Sequence, residues 1–479
     1  MDNGHRTTEH HRSETASLAG QAIVVLLAVV MVLATLVYGG VDTGMLAPLS
    51  LFSAVIVAVW GWHGVKAGKI PLSFNYLQLP IFALLVIGLI QLLPLRTAEI
   101  ASGVLSVPAS ASLSLDPYAT RFFIVRLVLY LIFLAAALTF VDTEWRLKSM
   151  SVTTVVFGSL MAFFGILQWL EKPGSIYGLR ETPQAIPFGP FINQHHFAAL
   201  MEMTGGLALG LLFGGAFKRN RTPFLVLAIV IMGMAVVFTG SRGGLLSFGG
   251  VIGFVLVASL IASRPEIPGE GEPGRVSSRL GMAAAGTALV LMIIGLVVFL
   301  GGGESLIRGT GLSSGVGDFT SGRSQFWQIA IRIFADHPFT GAGLDAFGAA
   351  FTKYDTASGL FRVEQAHNDY LQIMADAGIP GILCVLAFLY LLFSKGIKLI
   401  SRSRSYLRRS VAIGALAGCF GIAIHSFFDF PLRTPANAYF FLMLSVLATV
   451  EVAERHSRRR HHHKEALSPR AQSNVLIGR

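Results

Sequence analysis

The chain has 479 residues, of which 53% are hydrophobic and only 13% charged, and its mean hydropathy is +0.65. This composition excludes an ordinary soluble domain and a disordered chain. The formal net charge of +11 would suggest nucleic acid in a soluble protein, but no nucleic-acid-binding motif accompanies it. The apolar runs are about 18–22 residues long, enough to cross a hydrocarbon core of about 30 Å as helix, and they lack the alternation of an outer-membrane barrel. The expected fold class is an all-α polytopic membrane protein. Cys384 and Cys419 fall inside apolar runs and read as small core residues, not as a disulfide framework.

In chain order, residues 1–18 are polar and read as a disordered cytoplasmic tail. The first span, 20–38, lacks a small-residue cleavage site and reads as a retained helix. Further spans are expected at 46–64, 77–94, 122–141, 150–170, 196–216, 222–239, 243–262, 281–300, 377–394, 411–428 and 436–453, about twelve in all. The chain thus divides into the tail, helices 1–9 over 19–300, a polar loop over 301–376, helices 10–12 over 377–453, and a basic tail over 454–479. The segment SRPEIPGEGEPGR at 263–275 reads as a flexible linker. With the N-terminus inside, most of the 37 Lys and Arg fall on inner segments, led by KGIKLISRSRSYLRR at 395–409 and RHSRRRHHHK at 455–464. Both termini are therefore expected in the cytoplasm and the 301–376 loop outside it. The basic segments also attract anionic lipid.

The outer loop concentrates the residues capable of chemistry. Before it, FTGSRGGLL leaves Arg242 in a tight turn between two spans, where an arginine needs a partner or a route to the headgroups. Its glycines permit close approach, so guanidinium and helix-end N–H groups together suit an anion. Arg323 opens RSQFWQIAIRIFADHP, whose Phe326, Trp327, Ile329, Ala330, Ile333 and Phe334 fit an amphipathic helix resting in the membrane interface. A cation in a helix's first turn opposes the dipole, which again points to an external anion. His367 stands just before Asn368, a good N-cap for the short helix YLQIMADAG, where it suits general-base work near neutral pH. Each has a blander reading: Arg242 reaching lipid phosphate, His367 simply solvated.

Asn193, His195 and His196 begin the sixth span at its outer end. His425 and Asp429 lie four apart on one helical face at the outer end of the eleventh span and could pair with each other. Arg126, one turn into the fourth span, faces a cavity or the headgroups. With Asn368 and Asp369, these form a supporting set. No outer acidic pair or His/Cys cluster has metal-ligand spacing.

TGSRGG at 239–244, GR followed by Trp327, PFTGAGLDAF at 338–347 and QAHNDYLQIMADAGIPG at 365–381 together resemble the O-antigen ligase/polymerase family of bacterial envelope glycosyltransferases. The resemblance is specific from about 190 to 385 and only topological before about 150. It implies a twelve-helix GT-C-type bundle in the inner membrane, with a large periplasmic loop between helices 9 and 10. It implies an undecaprenyl-pyrophosphate-linked glycan donor, a lipid or glycan acceptor such as lipid A-core, and no metal, nucleotide-sugar or other cofactor. Arg242 and Arg323 match the arginines that hold the donor pyrophosphate, and His367 matches the base for inverting attack. A polymerase using another lipid-linked repeat as acceptor is the nearest alternative. A transporter of anions or lipid-linked sugars is the alternative of another class.

Overall fold

The computed structural model describes residues 3–96, 111–171, 174–183, 185–217, 219–262, 273–310, 323–356 and 363–452, and the statements below concern these. The helices α1 (Asn3–Leu36), α2 (Leu46–Ala67), α3 (Gln78–Gln91), α4 (Pro117–Phe140) and α5 (Glu144–Glu171) come first. A small antiparallel hairpin, β1 (Ser175–Ile176) and β2 (Arg180–Glu181), follows. Next come α6 (Gln194–Phe213), α7 (Thr222–Phe238), α8 (Arg242–Ala262) and α9 (Pro273–Phe299). Three short helices, α10 (Gly303–Thr310), α11 (Arg323–Asp336) and α12 (Phe347–Tyr354), precede α13 (Asp369–Arg402), α14 (Tyr406–His425) and α15 (Pro435–Thr449).

The expected spans fall on apolar helices, but length divides them. Eight candidate spans are long and apolar enough to cross a membrane, on α1, α2, α4, α5, α6, α8, α13 and α14. The apolar parts of α3, α7, α9 and α15 are shorter. The 14 residues of α3 reach only about 21 Å at 1.5 Å per residue. Among the described residues, length and composition thus single out eight candidate spans and leave four shorter apolar helices beside them. The N-terminal segment also differs from expectation, because α1 already begins at Asn3. Extending an existing helix costs far less than nucleating one, and no proline interrupts this stretch. The basic tail from 453 onward, residues 263–272 of the linker, and loop residues 311–322 and 357–362 lie outside the described residues.

The bundle is centred on α6, which is buried continuously from His196 to Leu211 and packs along α14, α7 and α8. Burial on every side explains why its sequence shows no polar stripe. The α6–α14 contact is backbone against backbone. A Cβ on Gly210 would stand 2.3 Å from Gly414 Cα, and one on Gly418 would stand 2.8 Å from Met203 O. Small residues four apart on both helices (Gly206, Gly210 and Gly214; Ser410, Gly414 and Gly418) create this seam, the packing available to helices that gain little from burying apolar surface in lipid.

The polar loop builds a second, smaller core. Ile329, Ala330 and Ile333 of α11 meet Phe347, Ala350 and Phe351 of α12, with Ala366 and Ala375 beside them. The amphipathic face of α11, read as resting in the membrane interface, is therefore covered by the loop's own helices. Gln91, at the end of α3, fixes this body to the bundle. Its side-chain amide donates to Thr340 O and Asp376 O at 2.6 and 2.9 Å and accepts from Leu344 N at 2.8 Å. The α13 helix breaks at Gly378 (φ 62, ψ −155), so its first turns belong to the loop body and the rest to the bundle.

Gly210→Leu should drive α6 and α14 apart and cost about 3 kcal/mol or more, whereas Gly253→Leu, with nothing near its Cβ, should be tolerated. Size exclusion and thermal unfolding in detergent would distinguish the two.

Candidate active site

Four segments converge at one end of the bundle. The first is the turn between α7 and α8, where Ser241 Oγ accepts from Gly244 N at 3.1 Å and caps α8. Arg242 is the first residue of that helix, and its Nε donates to Arg308 O at 3.4 Å. The Arg308 guanidinium itself lies against Gly240, putting a second arginine beside this turn.

The second segment is the start of α6. Asn193 Oδ1 accepts from His195 N at 2.8 Å, a capping bond that orients the two histidines differently. His195 Nδ1 meets Ser241 Oγ at 2.8 Å. His196 turns inward, with Nδ1 2.7 Å from Thr434 Oγ1 and its ring edge-on to Phe430.

The third segment is the entry to α13. Asn368 caps the helix, accepting from Tyr370 N and Leu371 N, while its Nδ2 donates to Phe427 O at 3.0 Å. Asp369 accepts from Ser426 Oγ and Leu432 N. His367 immediately precedes this cap in a left-handed conformation, φ 52. A non-glycine residue there is uncommon, and such strain concentrates at functional positions. Phe326 and Phe430 flank its ring.

The fourth segment, 425–434, joins the others. Asp429 is 1% exposed. Its Oδ1 accepts from Phe430 N at 2.9 Å and meets His367 Nδ1 at 3.1 Å. Its Oδ2 pairs with Arg323 Nη2 at 3.5 Å, and Arg323 Nη1 also donates to Phe428 O. Burial alone would push this carboxyl up. The His367 bond and the Arg323 charge oppose this, and the group is held well below the usual carboxylate range. An ionised carboxylate only accepts, so His367 Nδ1 must carry the proton that it donates. In the neutral imidazole that fixes the tautomer and puts the lone pair on Nε2, with the side chain 28% exposed. The turn reaches Arg242 as well: a Cβ on Gly243 would stand 3.0 Å from Phe428 Cβ and 3.3 Å from His425 Nε2.

Two sequence expectations are corrected here. His425 and Asp429 do not pair with each other, because α14 ends at His425 and the chain turns. His425 Nδ1 instead meets Glu202 Oε1 of α6 at 2.8 Å, both residues essentially buried, while Asp429 faces His367 and Arg323. Arg126, expected to face a cavity or the headgroups, has a protein partner. It pairs with Asp345 at 3.3 Å, which Arg433 also holds at 3.0 Å while binding Asp376. Burial works against the charge of Arg433, but Asp376, Asp345 and Asp369 outweigh it and raise the guanidinium above its usual value. This neighbouring network clamps the loop onto α4. Arg323, read as awaiting an external anion, already has protein acceptors, although these take only two of its five N–H donors.

The sequence reading passed over Glu202, Arg308, Asp345, Asp376 and Arg433. Glu202 carried a usable signal, since a single acid in an apolar run needs a buried partner.

Residues 227–386 match the family model described as O-antigen ligase. The match covers 160 of the 479 residues. The matched residues include Arg242, Arg323, His367, Asn368 and Asp369, whereas Asn193, His196, Glu202, His425 and Asp429 lie outside them. No curated protein matches the chain. Among the described residues, no group of three or more His, Cys, Asp or Glu is arranged to hold a metal ion.

Asp429 predicts a pH effect with a definite sign. Its depressed value contributes stability that is present above about pH 4, the unfolded carboxyl range, and lost as pH falls through its lower folded value. Asp429→Asn should therefore lose about 3 kcal/mol at pH 7 and show a smaller further loss on acidification to pH 3. Unfolding in detergent at both pH values would test this.

Proposed function

We propose that this chain is an O-antigen ligase-type glycosyltransferase, moving glycan from undecaprenyl pyrophosphate to a hydroxyl of lipid A-core. The observation that carries the reading is the His367–Asp429 pair, which holds a strained, partly exposed histidine by Nδ1 and turns Nε2 away from the carboxylate, beside a group of arginines. In the proposed reaction His367 Nε2 takes the proton of the acceptor hydroxyl as its oxygen attacks the anomeric carbon. The bond to the pyrophosphate oxygen breaks with inversion, and Arg242 and Arg323 hold the released diphosphate. A positioned base contributes about 10²–10⁴-fold, and fixed guanidiniums in a partly dry site stabilise the charge that grows on the leaving group. The reading requires no cofactor.

The family match supports a lipid-linked glycan transferase, and the ligase assignment is the narrower part of the proposal. So is the topology: twelve helices in the bacterial inner membrane, both termini cytoplasmic, and the 301–376 loop forming a periplasmic catalytic face. Asn193, His196, Asn368, Asp369, His425 and Asp429 position these groups, and Arg126 secures the loop.

Purified His367→Ala, assayed with EDTA and lipid-linked donor, should lose about 10²–10⁴-fold in transfer while still binding donor. Arg242→Ala and Arg323→Ala should also weaken donor binding. Normal transfer by His367→Ala would sink the mechanism. Supplying lipid A-core or a second lipid-linked repeat as acceptor separates ligase from polymerase. For topology, in a Cys384→Ser/Cys419→Ser background, Glu304→Cys should react with an impermeant maleimide in spheroplasts, and Arg404→Cys only after lysis.

A further inference from the structure

Beyond Gly378, α13 carries the chain about 35 Å to Arg402 at 1.5 Å per residue. There, at the opposite end of the helix from the candidate active site, a cavity of about 870 Å³ opens. Its walls are the α2–α3 turn, the start of α5, the end of α13, the start of α14 and the residues just after α15. We propose that this cavity binds the headgroup of an anionic phospholipid.

Charge supports this first. Lys395, Lys398 and Arg402 line the cavity at spacings of three and four, hence on one face of α13. Among the described residues, none of the three forms an ion pair. Arg408 adds a fourth cation from α14, against only Glu144 and Glu451. The charge of Arg408 is built into the wall: Nε and Nη1 donate to Val450 O and Leu447 O at 2.9 and 2.8 Å. This satisfies the last carbonyls of α15 and fixes the α14 side of the cavity.

The apolar lining then selects among anions. Phe74 and Tyr76 on the rim are 91% and 71% exposed, and Leu391 and Leu147 continue the apolar surface inward. A soluble phosphate would use the cations and waste the aromatics. A phospholipid uses both, with phosphate against the α13 face and acyl chains along the rim, as in basic pockets between membrane helices. The volume is of the size that small-molecule sites show. The chain's own tail, which begins next to the cavity, is a poor occupant because RHSRRRHHHK repeats the charge of the walls.

The test uses the full chain, purified and delipidated in detergent. Phosphatidylglycerol added to the micelles should raise the unfolding temperature more than phosphatidylcholine does. Lys395→Gln/Lys398→Gln/Arg402→Gln should abolish that preference, and the exposed single change Lys398→Gln should weaken it about fivefold, as read by lipid retained in native mass spectrometry. The single change covers the case in which the triple variant fails to fold. An undiminished preference in Lys398→Gln and the triple variant overturns the proposal, as does equal stabilisation by phosphatidylcholine. An equal effect of inorganic phosphate overturns the lipid assignment in favour of a soluble anion. A chain ending at Val452 should keep the preference, and losing it would move lipid binding to the tail.

Discussion

A single buried carboxylate organises the candidate site. Asp429 is removed from water, which disfavours its charge, yet it is held in the ionised form by its contacts with His367 and Arg323. Each partner gains a fixed position in return. The histidine is held by one nitrogen in one tautomer, and Arg323 is drawn toward the turn at the end of α14. Without that charge the imidazole would be free to choose its tautomer, and the left-handed backbone at residue 367 would lose its restraint.

The charge depends on packing elsewhere. Asp429 is carried by a turn whose position follows from α14, and α14 is set against α6 by the glycine seam. The same pair of helices holds Glu202 against His425, one turn below the site. Polar chemistry at the end of the bundle therefore rests on apolar close contact along its length. The loop is fixed separately, through Gln91 and through Arg433 with its acidic partners. Arginines and histidine can thus be offered to a substrate from a loop that does not itself cross the bundle.

Much of this was legible in the sequence, and the limits have physical reasons. Apolar runs located the helices because hydrophobicity is a local property. Helix length was less legible, because a run in the sequence includes turn residues that the helices of α3 and α15 exclude. Asn368 was readable as a cap because capping depends on neighbours a few residues away. The partner of His367 was not readable, since Asp429 is 62 residues distant and the bond exists only after four segments fold together. Spacing suggested a His425–Asp429 pair by assuming that the helix continues, and the helix stops at His425. Glu202 was visible as a lone acid among apolar residues, but nothing local named its partner.

The position of Asp429 near the end of the chain has a consequence for synthesis. A ribosome that has finished α13 has already delivered Arg242, Arg323 and His367, but not the carboxylate that joins them. Glu202 must also wait, in the most buried helix, until His425 emerges with α14. The growing chain therefore holds an acid without its final partner during insertion, a demand that favours a protected environment until the last helices arrive. The charged cluster is thus completed late and all at once, when the last two helices arrive.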